Sequence, residues 1–462
     1  MIMEYRTQKI LLTGRIDDES YSYLRWCCEQ SNSLYNCTLF EVRQAHFEQC
    51  GHRYFFDKYD QYRASFKLSK VKISYAQLCK QLKDNPHYQA TGGQQGQQTI
   101  KSVVFAIKAY NKLLSMWFKG ELKDQPKLPN YRTSNGLYQV CFTNQNLRYE
   151  AREGVCYLPI AKINKNELET PVIAIPSGYG FEAEQLAELR IIPSNGKLWA
   201  EYIYKVDEQK AHHLDYSQAI SIDSGVNNWI TAVSTLGRSF IVCGKRLKFI
   251  NHKYNQFVAK YKQGKSDFYW DETLEQVTHK RNCQMRDAIN KTARFLINHC
   301  LANGIGNIVF GWNSGNKQSV AMSKKNNQNF VQIPTARLKN RIQELAKSVG
   351  INFVETEEAY TSKSSFIDRD LLPRHGEKPS EYKFSGKRVK RGLYQASNGK
   401  LINADCNGAA NILRKVITQL KVSLAKVSGA VLTLPKRYNL SDLSKSYRKW
   451  SEQDLSCVAT SI

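Results

Sequence analysis

Apolar and polar residues alternate around Ile10, Leu11 and Leu12, which predicts a strand over 6–14. The period then changes. Tyr21, Leu24, Cys28 and Leu34 to Tyr35 recur at helical spacing, and Asp17 or Asp18 stands where an N-cap belongs. Helical patterning resumes near Tyr75 and again from Thr99. There Val103, Val104, Ile107, Tyr110, Leu114 and Trp117 form a stripe beside Lys101, Lys108 and Lys112. Trp117 and Phe118 read as core. Gly92 to Gln98, all Gly and Gln, reads as a polar linker.

The pattern turns to β at Gln125-Pro126-Lys127-Leu128-Pro129. Val140 to Leu158 predicts strands about a turn at Glu153-Gly154, and Leu189 to Tyr204 a hairpin about Ser194-Asn195-Gly196-Lys197. The strand at 6–14 can join this sheet, which makes the helical block an insertion. From Gln218 strands and helices alternate. Strands are expected at Ile220–Ile222, Trp229–Ser234, Phe240–Val242, Ile308–Gly311 and Ile351–Glu355. Long basic helices fall between Asn251 and Asn303, and another helix between Pro334 and Val349. A basic irregular segment, Ser362 to Lys400, precedes a last helix with Ala410, Leu413 and Val416 on one face. This order suits a five-stranded mixed sheet of ribonuclease H type.

Composition narrows the partners. The 462 residues carry a formal net charge of +26, far more than solubility requires, and a polyanion is the natural counterpart. No polybasic amphipathic helix or bilayer-length apolar run stands out, so a membrane partner is not expected. Twelve cysteines are scattered without a CxxC pair, which signals neither a zinc ribbon nor a disulfide framework and suits reduced intracellular thiols. The histidines show no ligand spacing, and His212-His213 reads as linker.

Two stretches carry candidate chemistry: Ser221-Ile-Asp-Ser-Gly-Val-Asn-Asn228 and Asn403-Ala-Asp-Cys-Asn-Gly-Ala-Ala-Asn411. Asp223 lies on an opening strand, and Asp405 at the start of a helix. Two distant carboxylates can meet at Mg²⁺, which favours oxygen ligands, and two such ions cleave phosphodiesters. The plainer alternatives are a turn aspartate capping the bend at Gly225 and a helix N-cap at Asp405. Cys406 reads as a small buried residue.

Ile222-Asp-Ser-Gly-Val-Asn-Asn228 resembles the first RuvC motif of TnpB proteins, the RNA-guided nucleases of IS200/IS605-type transposons and relatives of Cas12. Asn403 to Ile412 resembles the third. Tyr360-Thr-Ser-Lys363, Asn329 to Pro334 and Gln125 to Pro129 match further family signatures. The resemblance implies an α+β multidomain protein: a wedge-type β-barrel from 1–16 and 125–215, and a helical recognition insertion from 17–124. A RuvC, ribonuclease H-like α/β nuclease domain from 216–361 and 401–430 follows. Residues 362–400 would be a basic insertion that binds target nucleic acid, and 431–462 a tail of disorder-prone composition. Implied partners are a guide RNA from the transposon end and double-stranded DNA with a short target-adjacent motif, bound by a monomer. Guide pairing would specify sequence.

Two departures stand out. The family's second motif places a glutamate at the end of the fourth strand, where this chain has Gly311. The ribbon cysteines are absent, with Ser364 or Ser365 and Ser385 near their places, so zinc is not expected. The next strand ends Val354-Glu-Thr-Glu-Glu358. Alternation puts Val354, Thr356 and Glu358 on one face and Glu355 and Glu357 on the other. Glu358 is the expected relocated third ligand, with Glu357 as the alternative. Two Mg²⁺ ions are then expected, Asp223 bridging both and Asp405 and Glu358 each completing one shell. Asp368 and Asp370 read as acids of a mobile loop. Expected nucleic-acid contacts are Lys101, Lys108 and Lys112, and, around the insertion, Lys363, Lys387, Arg388, Lys390 and Arg391, with Arg369 and Lys383. Tyr382, Phe384 and Tyr394 interleave as stacking surfaces. Two other readings fit the sequence: an RNA-guided DNA-binding protein that does not cleave, and an RNA-independent ribonuclease H-like transposase or resolvase.

Overall fold

The computed structural model describes residues 4–50, 52–56, 62–66, 68–150, 154–164, 169–174, 185–206, 213–313 and 333–443. The chain divides into two compact units, Met1–Asp207 and Glu208–Ile462. No helix of the described residues is long and apolar enough to cross a membrane.

In the first unit β1 (Glu4–Leu11) leads into α1 (Asp18–Cys50). Asp17 caps that helix, its Oδ1 accepting from Ser20 N at 2.7 Å. A hairpin, β2 (His52–Phe56) and β3 (Tyr62–Phe66), precedes α2 (Tyr75–Gln81), α3 (Pro86–Thr91) and α4 (Gly93–Phe118). Helix α4 absorbs the expected linker. Its Gly/Gln-rich start is helical because Gln95 and Gly96 are buried there, and a Cβ at Gly96 would lie 2.6 Å from the Tyr88 ring. Ile100, Ile107 and Leu114 pack with Leu34 and Leu39 of α1. Trp117 is partly buried against that core, but Phe118 is 57% exposed and does not belong to it. Lys101, Lys108 and Lys112 line the exposed face of α4.

The remaining strands are β4 (Val140–Thr143), β5 (Arg148–Glu150), β6 (Val155–Tyr157), β7 (Val172–Ala174), β8 (Leu186–Ser194) and β9 (Lys197–Val206). The turn between β8 and β9 has Asn195 at φ 49° and Gly196 at φ 68°, as a two-residue hairpin of this kind requires. Strand β1 pairs with β9, as expected. The sheets are not closed barrels. Among the described residues they are an open four-stranded sheet, β1-β9-β8-β4, and a separate three-stranded one, β5-β6-β7. Strands of three residues in the second sheet are too short to bridge the edges of the first.

The second unit is built on one mixed sheet. An antiparallel meander, β10 (Asp215–Asp223), β11 (Asn228–Ser234) and β12 (Arg238–Cys243), is followed by α5 (Lys245–Tyr261) and α6 (Glu272–Ala302). Then come β13 (Ile305–Gly311), α7 (Thr335–Ser348) and β14 (Asn352–Thr356). Strands β15 (Lys387–Lys390), β16 (Leu393–Gln395) and β17 (Leu401–Asn403) form a small sheet of their own. Helices α8 (Ala404–Lys415), α9 (Ile417–Leu420) and α10 (Gly429–Thr433) lead to β18 (Lys436–Tyr438).

The large sheet runs β14-β13-β10-β11-β12-β18, six strands rather than five. The extra one is β18, parallel to β12. The segment expected to be a tail from 431 thus begins inside the fold, and Leu440 and Leu443 are buried in the main core. Residues from 444 lie outside the described set, as do Asn329 to Gln332 of the Asn329–Pro334 signature.

One face of the sheet buries Ile220, Ile222, Ile308 and Phe310 under α6 and α7. The other packs Ala219 and Val309 against Ile412, Leu413 and Val416 of α8 and its end. Ser221 fastens that helix, its Oγ donating to Ala409 O at 2.6 Å. Beneath the opposite face His299 of α6 lies 5.0 Å from the Phe240 ring. Burial, and then the charge of Arg238, pull its pKa down to about 4. An unfolded chain binds this proton near pH 6.5 and the native one does not, so stability is lost as pH falls through that window. A loss of about 2 kcal/mol is expected between pH 7 and pH 5. Urea midpoints should show it in the wild type and show it much reduced in His299→Leu.

Candidate active site

Near the C-terminal end of β10, Asp223 lies close enough to Glu358 and Asp405 to feel the charge of both. Asp223 is that strand's last residue and is paired with Thr231 of β11. Asp405 stands in the first turn of α8 but does not cap it. Asn403 is the cap, its Oδ1 accepting from Asp405 N and Cys406 N at 3.0 Å each, and this leaves the Asp405 side chain free to face outward from the turn. Asn228 of β11 donates to Asp405 Oδ2 at 2.6 Å, and Arg388 of β15 to Oδ1 at 3.2 Å. Cys406 is fully buried.

Glu358 is the third, and the alternation that nominated it ends before reaching it. Strand β14 stops at Thr356, paired with Gly311 of β13. Glu355 pairs with Lys339 of α7. Past the strand, Glu357 and Glu358 part. Glu357 accepts from Lys415 Nζ at 2.8 Å and His375 N at 3.4 Å. Burial works against its ionisation, but the Lys415 hydrogen bond and charge outweigh it and hold the carboxyl below its usual range. Glu358 turns toward Asp223 instead, its backbone N–H donating to Asn313 Oδ1 at 3.0 Å. Gly311 makes the room: a Cβ there would stand 2.7 Å from Glu358 Oε1. A side chain at 311 would therefore occupy the space that Glu358 takes.

The electrostatics follow from this crowding. Burial pushes Glu358 up to about 7. Burial, followed by the charges of Glu358 and Asp405, lifts Asp223 well above the carboxylate range, against a smaller opposing pull from Arg388. Glu358 Oε1 is buried and has no hydrogen-bond partner.

Among the described residues no three His, Cys, Asp or Glu side chains are already drawn together as a metal cage. The donor set nevertheless fits a divalent cation: hard oxygens, mutual repulsion a cation would relieve, and an unpartnered buried oxygen. Gly408 of α8 completes the cradle, since a Cβ there would lie 2.5 Å from Asp223 Oδ2. Gly408→Ala therefore displaces the Asp223 carboxylate. It should cut metal-dependent turnover at least about tenfold while leaving the far-ultraviolet spectrum unchanged.

Asn228 lies in the first motif and Asn313 just past β13, and their contacts to Asp405 and Glu358 give each a role. Asn407 and Asn411 are fully buried and bind the backbone of Thr361 to Phe366, tying the inserted segment to α8. Asp370 is not on a free loop. It is 3% exposed and accepts from Ser365 N (2.8 Å), Ser385 N (3.0 Å) and the hydroxyls of Ser385 and Tyr382. The serines near the expected cysteine positions thus converge on one carboxylate. Asp368 likewise holds Ser397 N at 2.9 Å. Tyr394 is fully buried, its hydroxyl donating to Lys363 O, so it offers no stacking surface. Lys363, Lys387, Lys390 and Arg391 are exposed, as are Arg369 and Lys383. A groove of 1250 Å³ behind α8 is lined in part by Arg369, Arg374, Arg414 and Lys415.

Residues 201–317, which include Asp223 and Gly311, match a family model of IS605 OrfB proteins, described as a probable transposase. The match supports a TnpB-family protein. No curated protein matches this chain. Among solved structures, a Cas12f1 chain in complex with sgRNA and target DNA is similar to 86% of it over 83% of its own length. The identity is 14% and the TM-score 0.51, a likeness of fold. The mini-RNA-guided endonuclease CRISPR-Cas-phi3 covers 94% of each chain at 11% identity, with a TM-score of 0.43.

Proposed function

We propose that this chain is an RNA-guided DNA endonuclease of TnpB type whose second unit holds a RuvC-like nuclease site. The observation that carries the reading is the convergence of Asp223, Glu358 and Asp405, with Glu358 Oε1 buried and unpartnered among like charges. The site would take two Mg²⁺ ions, held by those three carboxylates; bound there, they would lower the pKa of a water so that it could attack phosphorus as hydroxide, and would stabilise the charge on the departing 3′ oxygen.

The chain's own residues prepare that chemistry. Asn228 orients Asp405, and Asn313 fixes the backbone of Glu358. Gly311 and Gly408 keep the carboxylates' space clear. Arg388 brings a guanidinium to the rim, where an incoming phosphate would compete with Asp405 for it. Around it Lys363, Lys387, Lys390 and Arg391 of the 362–400 insertion offer phosphate contacts, as Lys101, Lys108 and Lys112 do on α4. The net charge of +26 suits an RNA and a DNA partner, the classes present in the Cas12f1 complex.

A second reading is guided binding without cleavage, favoured by the Arg388 cation already seated on Asp405. The test is to purify the chain with the RNA it retains and offer a matching plasmid. Mg²⁺-dependent cutting is expected from the wild type. Asp223→Ala should bind the target equally and cut at least about 10³-fold more slowly. Wild-type binding with no cutting under any divalent metal would establish the second reading.

A further inference from the structure

We propose that the α5–α6 hairpin is a stacking platform for an unpaired nucleic-acid strand, a surface separate from the carboxylate site. Leu247, Asn251 and Tyr254 commit one side of α5 to α6. Leu247 and Asn251 are buried, and Arg281 of α6 donates to Asn251 Oδ1 at 2.8 Å. Tyr254 bonds Thr278 at 3.0 Å.

The outer side carries Phe249, Lys253, Phe257 and Tyr261, each four residues from the last, so that they form one ridge about 18 Å long. Phe249 is 59% exposed and Phe257 39%. Phe257 and Tyr261 stack at 5.5 Å with their planes 12° apart. From Lys245 to Lys265 there are seven Lys or Arg and no carboxylate.

The ridge continues into a loop that is built rather than loose. Asp271 caps α6 through Leu274 N and accepts from both Tyr261 and Tyr269 hydroxyls, at 2.6 and 2.9 Å. Lys265 lies 3.8 Å from the Tyr261 ring and 4.1 Å from the Tyr269 ring. On this frame Phe268 is 95% exposed and Trp270 48%.

Rings held open to water at such exposure mark an interaction surface. Their interleaving with cations selects the occupant. A second copy of the chain would bring the same positive ridge and be repelled. A duplex would engage the lysines but has no free base faces. A single strand satisfies both, its phosphates meeting the lysines while its bases stack on the rings. The proposal deepens the nucleic-acid reading above but does not depend on cleavage.

The test therefore uses the full chain carrying Asp223→Ala, in EDTA. Binding of fluorescent oligo-deoxythymidine, oligo-uridine and a blunt duplex is compared for this background, for Phe249→Ala with Phe257→Ala, and for Phe268→Ala with Trp270→Ala. Each pair should weaken single-strand binding about 10- to 100-fold. The slope of affinity against salt should stay unchanged, because no charge is lost. Duplex affinity should stay within about twofold. All four positions are on the surface, and unchanged melting curves check the fold. Unchanged single-strand affinity, or an equal loss for duplex, overturns the proposal. So does a wild-type dimer, seen by sedimentation, that the substitutions dissolve.

Discussion

Glu358→Gln should lower guide-directed cleavage by about 10²- to 10³-fold or more, the size of effect that follows loss of one charge from a preorganised site. Glu357→Gln should leave cleavage within about twofold. The two residues are adjacent glutamates, and their surroundings separate them. Glu358 faces Asp223 across the space Gly311 leaves open. Glu357 is tied to Lys415, whose side chain is only 8% exposed. Glutamine at 357 leaves that buried ammonium short of its countercharge, at a cost of about 1–3 kcal/mol. A double dissociation is the expected outcome: one variant melts normally and does not cut, and the other cuts normally and melts early. Equal activity in both would remove Glu358 from the site.

Asp223→Asn should raise the melting temperature of the metal-free protein and abolish its further rise on adding Mg²⁺. Burial and two neighbouring carboxylates hold the Asp223 carboxyl well above its ordinary range. At neutral pH the fold therefore bears a cost that an unfolded chain escapes, and this cost grows as pH rises from the ordinary carboxylate range toward the raised value. Asparagine keeps the shape and removes the charge. A gain of about 1–2 kcal/mol corresponds to several degrees for a unit of this size. The wild type should recover the same stability from Mg²⁺, by binding to the folded state alone. Differential scanning calorimetry in EDTA and then in Mg²⁺ reads both effects.

The large sheet was legible because its strands are continuous apolar runs with turn residues between them, from Ile220 through Phe310. Strand β18 was not, since Lys436-Arg437-Tyr438 has no apolar run and is placed only by pairing with β12. Gly92 to Gln98 reads as linker by composition, yet tertiary contact with Tyr88 makes it helix from Gly93 onward. The open sheets of the first unit show the limit of resemblance, because closure depends on strand lengths that turn signals do not set.

Asp223 and Asp405 were visible as motif residues, and Glu358 as one choice of two. What separated the choices, the exit of the chain after Thr356 and the Lys415 ammonium waiting for Glu357, lies 58 residues apart in sequence. The buried tie of Asp370 to Ser365 and Ser385 was equally hidden, since aspartate and serine in a basic segment read as solvated loop.

The most direct measurement is an anomalous difference map from crystals of the protein soaked in Mn²⁺, a heavier surrogate for Mg²⁺. Density is expected between Asp223, Glu358 and Asp405, with Arg388 displaced from Asp405 and Glu357 still on Lys415. Density absent from that position, or held by Glu357 in place of Glu358, would contradict the site proposed for this chain.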